Sequence, residues 1–332
     1  MSKDRPGEFE LIRKFFAPLA SDPGSLGLTD DAAVFVPEDG CDLVLTKDVL
    51  ASDVHFFRDD APETIAAKAL RVNLSDLAAK GARPRGYLLG LALPSDWTEG
   101  WLERFCAGLK ADQSAFDIHL LGGDTIRSGN GLQVSITAIG QVPAGRTVRR
   151  SGANPDDVLF VTGTVGDAAA GLKIRLDGGF SAQNGLTASD ERHLLDRYLL
   201  PRPRLALARL LTEYASASMD VSDGLFADSA HMAMASGVDI EIDLARVPVS
   251  NGLKRLRSNA RSTYVACLNG GDDYEILAAV PSSRATAFTK GAASAGCPVT
   301  AIGTVLEGGG HVTCLEDGVR VDWQSAGGFT HF

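Results

Sequence analysis

A two-domain α/β protein is what this chain predicts, on three observations. Apolar, β-branched runs alternate along it with stretches of helical periodicity. At 332 residues it is longer than one ordinary hydrophobic core serves. Its 36 glycines follow no collagen-like period, which points to many tight turns or close backbone approaches.

Charge and cysteine usage narrow the function classes. Asp and Glu number 42 against 32 Lys and Arg, a net charge of −10, so a phosphate backbone is an unfavourable partner and no nucleic acid is expected. The acidic balance suits metal-rich sites or a cationic ligand. Cys41, Cys106, Cys267, Cys297 and Cys314 are scattered without CxxC spacing, which favours free thiols in a reducing compartment over a zinc site. No cationic-then-apolar leader and no apolar run of spanning length is visible, so a cytoplasmic protein without membrane contact is expected.

Phe9, Ile12, Phe15 and Phe16 form a helical stripe. A Gly/Ser/Pro-rich loop follows over 21–28, then Asp30-Asp31, a paired carboxylate feeding a predicted strand through Val34-Phe35-Val36. Leu43 to Leu45 opens a second strand, at whose end stand Thr46, Lys47 and Asp48, with His55 a short loop later. Ligands of α/β enzymes collect at strand ends, so these polar residues are well placed for chemistry. Residues 62–82 read as a helix that carries Asn73, Ser75 and Asp76 within an apolar stretch. A carboxylate there is costly unless it faces solvent, is paired or holds a cation.

Tyr87–Leu93 reads as a strand, 98–116 as a helix, and His119–Thr125 as a strand ending in Gly122-Gly123-Asp124. Leu132–Val142 completes a β-rich first half. The Gly145–Asp157 segment, with Arg146, Arg149 and Arg150 among Gly and Pro, is the expected junction, giving domains 1–147 and 148–332; its basic cluster suits a solvated loop or a phosphate. Val158–Gly163 is a strand leading to a Gly-rich helix start at Thr164–Leu172, which lacks the Gly-Lys-Ser/Thr of a P-loop and the GxGxxG spacing. Residues 176–190 are loop-like, and helices over 193–200 and 203–214 flank Pro201-Arg202-Pro203. Met219-Asp220-Val221-Ser222-Asp223-Gly224 is a strand end with alternating carboxylates before a helix through Met234. After a strand at 238–244, Gly270-Gly271-Asp272-Asp273 echoes the earlier Gly-Gly-Asp.

Hard oxygen donors in this number suit Mg²⁺, which takes one or two carboxylates plus phosphate oxygens and water. Two like charges roughly 4 Å apart repel by several kcal/mol at an effective dielectric of about 20, so converging aspartates require bound cations. Phosphoryl transfer asks the protein for alignment and charge neutralisation rather than covalent help.

Taken in order, Gly7-Glu8-Phe9, Asp30-Asp31-Ala32, Leu45-Thr46-Lys47-Asp48 with His55-Phe56, Val72–Ala79 and Gly122-Gly123-Asp124-Thr125 resemble the thiamine-monophosphate kinase family. So do Arg150-Ser151-Gly152-Ala153, Thr162-Gly163-Thr164, Met219–Leu225, Gly271-Asp272-Asp273-Tyr274-Glu275 and His331-Phe332. The resemblance spans essentially the whole chain. It belongs to a superfamily with aminoimidazole ribonucleotide synthetase and selenophosphate synthetase.

The resemblance implies an N-terminal mixed β-sheet domain with helices, dimerising through its sheet, and a C-terminal α/β domain that completes the nucleotide and substrate site. It implies a homodimer that transfers the γ-phosphoryl group of ATP to thiamine monophosphate with several Mg²⁺ ions. Asp31, Thr46, Lys47, Asp48, Asp76, Asp124, Asp220 and Asp223 correspond to metal ligands. Gly123, Asp124, Arg150 and Ser222 correspond to ATP contacts; His55, Asp272 and a C-terminal aromatic, Phe329 or Trp323, to substrate contacts. No covalent catalytic residue is expected. Three positions depart from the family pattern: Lys47 replaces a Thr or Ser, Asp272 a Glu, and Thr29 a Gly. Another ATP-dependent enzyme of the superfamily, activating an amide or formyl oxygen, and a non-catalytic ATP–Mg binder are the alternatives.

Overall fold

The β-branched run after Cys41 is drawn out as an eleven-residue strand, β1 (Cys41–Ala51), in the computed structural model, which describes residues 6–321. The chain divides into two compact units. One comprises Met1–Leu77 and Ala82–Gly145; the other comprises Ala78–Gly81 and Arg146–Phe332.

In the first unit β1 joins β2 (Arg83–Leu93), β3 (His119–Arg127) and β4 (Gln133–Pro143) in a sheet of order β1-β4-β2-β3. The β2–β3 pair is parallel and the other pairs antiparallel, so the sheet is mixed. Its helices are α1 (Glu8–Leu11), α2 (Pro62–Ala79) and α3 (Glu99–Phe116). Strand alternation sends Val134, Ile136, Ala138, Leu89 and Leu91 into the core. On β1 the same face takes Thr46, Asp48 and Leu50, which pair with Ala138, Ile136 and Val134. The opposite face of the sheet exposes apolar side chains around Lys47: Leu43, Val49 and Leu88 are exposed there, and Leu45 is 62% exposed.

The second unit holds a seven-stranded sheet, β11-β10-β7-β9-β5-β8-β6. Its strands are β5 (Asp157–Thr162), β6 (Ala217–Asp220), β7 (Val238–Asp243), β8 (Ile276–Pro281), β9 (Val299–Glu307), β10 (Val312–Glu316) and β11 (Val319–Val321). Helices α4 (Asp167–Leu176), α5 (Phe180–Gln183), α6 (Ala188–Leu199), α7 (Ala208–Tyr214) and α8 (Leu225–Ser236) precede α9 (Asn251–Asn259), α10 (Arg261–Leu268) and α11 (Ala285–Ser294). One core gathers Leu159, Val161, Met219, Phe226, Ile240 and Leu277; a second gathers Phe160, Ile276, Val280 and Phe288.

Several expectations need correction. Val34–Val36 forms no strand: the Val34 N–H donates to Gly24 O (2.8 Å) instead of to a ladder, and Val34 and Val36 are exposed. The 9–16 stripe is only partly α-helical; after α1 it widens into a π turn over Ile12–Phe16, which seats both Phe15 and Phe16 in the core. Helix α6 starts at Ala188 rather than His193, because Thr187 and Asp190 form a reciprocal capping box that sets its N-terminus. The expected loop before it contains α5, anchored by buried Phe180. The two Gly-Gly-Asp sequences are not structural equivalents, for Gly122–Asp124 lies inside β3 whereas Gly270–Asp272 is loop.

Candidate functional site

In the first unit the register of β1 does the positioning. Residues two apart share a face, so Thr46 and Asp48 both point to the inner side, toward α2. There the Thr46 hydroxyl donates to the Asp76 carboxylate. Asp48 is half-buried, and burial followed by the Asp76 charge pushes its carboxyl up to about 6, with Lys47 pulling the other way. Thr46, Asp48 and Asp76 thus form one cluster of oxygen donors in which two carboxylates repel each other. That donor chemistry fits a small divalent cation such as Mg²⁺, whose charge relieves the repulsion.

The side chain of Lys47 is on the opposite face of the sheet, donating to Ser135 Oγ at 2.5 Å. From this position only its backbone can serve the Thr46–Asp48 side. Asp124 is exposed on β3, and Asp31 is exposed on a loop, its N–H donating to the Asp30 carboxylate at 2.7 Å. Gly123 runs against β2 so closely that a Cβ would meet the Leu89 carbonyl. His55 is half-buried; its Nδ1 accepts the Ala51 N–H (3.1 Å), which orients the ring, and its carbonyl accepts from Lys68 Nζ (3.0 Å).

In the second unit Asp220 is buried at the end of β6, followed by half-buried Ser222 and Asp223. Asp228, on the first turn of α8, accepts the N–H groups of Asp223 (3.0 Å) and Gly224 (3.2 Å). Burial and then the Asp223 charge push its carboxyl up to about 7 against those bonds. Among the described residues, Asp223, Asp228 and His231 form the one set of three acid or imidazole side chains with ligand atoms all within 4.8 Å of one another. Sequence reasoning missed Asp228 and His231. Their spacing of three on a helix, which stacks both on one face behind Asp223, was the available signal.

Asp272 lies on a loop packed on the Val221–Gly224 segment: its N–H donates to Ser222 O (2.8 Å), and the Tyr274 N–H to Val221 O (2.9 Å). Gly224 (φ 116°) and Gly271 (φ 76°) make this packing possible, since a Cβ on either would collide with the facing backbone. Arg150 is exposed on the segment before β5. Trp323 and Phe329 lie outside the described residues.

Comparison with known proteins adds to this geometry. Residues 29–142 match the family described as AIR synthase related protein, N-terminal domain, and residues 154–314 match its C-terminal domain. A thiamine-monophosphate kinase of Caulobacter vibrioides is 43% identical over 309 residues, 92% of this chain and 86% of that protein. The chain belongs to the thiamine-monophosphate kinase family.

Other members agree in length and shape. The thiamine-monophosphate kinase of Escherichia coli K12 is 38% identical, with 98% of each chain covered. The crystal structure of the Stenotrophomonas maltophilia thiamine-monophosphate kinase superposes with a TM-score of 0.82 at 40% identity, covering 95% of this chain and 98% of that one. A solved structure described as AaThiL complexed with AMPPCP and TMP superposes with a TM-score of 0.76 at 35% identity, covering 98% and 97%. Within the family match, Asp31, Thr46, Asp48, Asp76 and Asp124 fall in the N-terminal region, and Asp220, Ser222, Asp223 and Asp272 in the C-terminal one; Arg150 falls between the two. Among the described residues, no helix is long and apolar enough to cross a membrane.

Proposed function

We propose that this chain is a kinase that moves the γ-phosphoryl group of ATP directly onto the phosphate of thiamine monophosphate, releasing ADP and thiamine diphosphate. The observation that carries this reading is the Thr46–Asp48–Asp76 oxygen cluster in a chain so similar to thiamine-monophosphate kinases over nearly its full length. AMPPCP mimics ATP with a bridge that does not transfer its terminal phosphoryl group, so the neighbour complexed with AMPPCP and TMP is consistent with it.

Thr46, Asp48 and Asp76 would hold Mg²⁺, with Asp31, Asp124, Asp220 and Asp223 as further ligands and Lys47 contributing only its backbone. Bound there, Mg²⁺ neutralises charge on the polyphosphate oxygens. Gly123, Asp124, Ser222 and Arg150 contact ATP in this reading. His55 and Asp272 orient thiamine monophosphate, Asp272 offering a carboxylate to its cationic thiazolium, with Phe329 or Trp323 covering a ring. The acceptor is already an ionised phosphate, so no general base and no phosphorylated enzyme residue is needed.

The test is mass-spectrometric detection of thiamine diphosphate from ATP, Mg²⁺ and thiamine monophosphate, with thiamine as the control acceptor. Product from thiamine monophosphate alone is the expected result. ADP release without thiamine diphosphate would refute the reading, and a trapped phosphorylated side chain would refute direct transfer.

The open apolar face formed by Leu43, Leu45, Val49 and Leu88 supports a homodimer built on this sheet. Light scattering is expected to show a dimer that Leu45→Glu splits; an unchanged mass would place the interface elsewhere. Free cysteines and the use of ATP support a cytoplasmic enzyme without nucleic-acid or membrane partners.

A further inference from the structure

The loop that carries Asp272 alternates in a way its sequence does not announce. Asp272 (φ 65°) and Tyr274 (φ 51°) are half-buried and in the left-handed region, while Asp273 and Glu275 are fully buried. Both buried acids are pegged inside the second unit. Asp273 accepts the N–H groups of Gly166 (2.5 Å) and Ala168 (3.1 Å) at the start of α4. Glu275 accepts the Thr162 hydroxyl (2.5 Å), Arg204 Nε (2.6 Å) and Arg197 Nη2 (2.9 Å).

Arg197, from α6 and 2% exposed, is the joint between the pegs. The same Nη2 that reaches Glu275 also donates to the Asp273 carbonyl at 2.8 Å, using both hydrogens of one amino group. Arg204 makes two bonds to Glu275, so that carboxylate does not depend on Arg197 for a counter-charge. What Arg197 adds is the hold on the peptide between Asp273 and Tyr274. The Tyr274 N–H of that same peptide donates to Val221 O and the Asp272 N–H to Ser222 O, so Arg197 and the Val221–Ser222 backbone grip the peptide from its two sides, Arg197 at the carbonyl. Two left-handed residues separated by one, Asp272 and Tyr274, are uphill for side chains with a Cβ, and they persist only where the surroundings over-determine them.

We propose that Arg197 is a positioning residue: by fixing the Asp273 carbonyl it anchors the C-terminal side of the Asp272–Tyr274 turn, whose N-terminal side Ser222 holds, and so keeps Asp272 where its carboxylate meets thiamine monophosphate. This rests on Asp272 being a substrate contact, as argued above.

The experiment is a double-mutant cycle in steady-state kinetics on the full chain, with Asp272→Ala, Arg197→Met and the pair. Arg197→Met is expected to raise KM for thiamine monophosphate by about tenfold, as a displaced contact would. KM for ATP should stay within about twofold, and the pair should be no worse than Asp272→Ala alone within the same margin. Multiplying effects, or an equal rise in KM for ATP, would overturn the positioning role, because general loosening acts on both substrates. If Asp272→Ala leaves KM for thiamine monophosphate unchanged, the assignment of Asp272 itself has failed and the proposal falls with it. Should Arg197→Met not fold, Arg197→Lys, which keeps the charge without the planar fork, carries the same cycle with a smaller shift in the same direction.

Discussion

The acids of the two units are mounted by different means. In the first unit Asp48 sits on an eleven-residue ladder and Asp76 on an eighteen-residue helix, so backbone regularity alone sets where they point. In the second, Asp223 and Asp272 sit on loops that touch through glycines and are pegged from below by Asp228, Asp273, Glu275 and Arg197. The first arrangement is robust in geometry and strained in charge. The second depends on buried side chains packed beneath the loops.

Substitutions at the strand–helix pair test this contrast most severely. Asp48→Ala and Asp76→Ala are each expected to lower turnover by about a thousandfold, the scale of losing a principal charge-stabilising group. Thermal melts without Mg²⁺ should show Tm unchanged or raised, since one of two mutually repelling carboxylates has gone. A variant that melts well below the wild type would give Asp48 or Asp76 a structural role instead.

Next in size, Gly271→Ala places a side chain at φ 76° against the Ser222 carbonyl and should cost about 2–4 kcal/mol in denaturant unfolding. Gly122→Ala on β3 meets only Leu88 Cδ2 at 3.4 Å and should cost less than about 1 kcal/mol. Equal costs would erase the distinction between ladder-mounted and glycine-dependent acids.

A comparable effect is expected in the pH dependence of the pegs. Burial, with the Asp167 carboxylate adding to it, pushes Asp273 up to about 8. The unfolded chain releases that proton near pH ~4, so the stability tied to it is intact below that point and falls as pH rises toward 8. Asp273→Asn removes this titration, and the wild-type Tm should therefore drop relative to the variant between pH 5 and 8. Parallel curves would contradict a proton held in the fold. Least of all should come from Lys47→Ala, which ought to leave kcat and Mg²⁺ dependence within about twofold, because its ammonium lies across the sheet from Asp48. A large loss would bring the side chain into the metal set.

The sheet-borne part of the site was the more legible. The apolar, β-branched run at Leu43–Leu45 implied a strand, although one ending at Thr46–Asp48 rather than running on to Ala51, and the costly carboxylate at Asp76 marked where a partner or cation was needed. The same reasoning failed at Val34–Val36, where β-branched residues have no neighbouring strand to pair with; strand propensity expresses fit to a sheet rather than an intrinsic preference. The pegs stayed hidden for a different reason. Arg197 reads as one more charged residue on a polar helix, and only the tertiary arrangement reveals that its guanidinium is buried against Asp273 and Glu275. Asp273, in turn, is hidden within a motif whose neighbour attracts the functional assignment.

The cysteines give the molecule a practical property. Burial holds the thiols of Cys106, Cys267 and Cys314 up near about 12 and raises that of Cys297, so four of the five resist alkylation at neutral pH. Cys41 alone is not fully enclosed, and it begins β1 in step with Leu43 and Leu45. A maleimide dye added to the native chain would therefore report from one address, at the margin of the open sheet face, without any cysteine having to be engineered in or out.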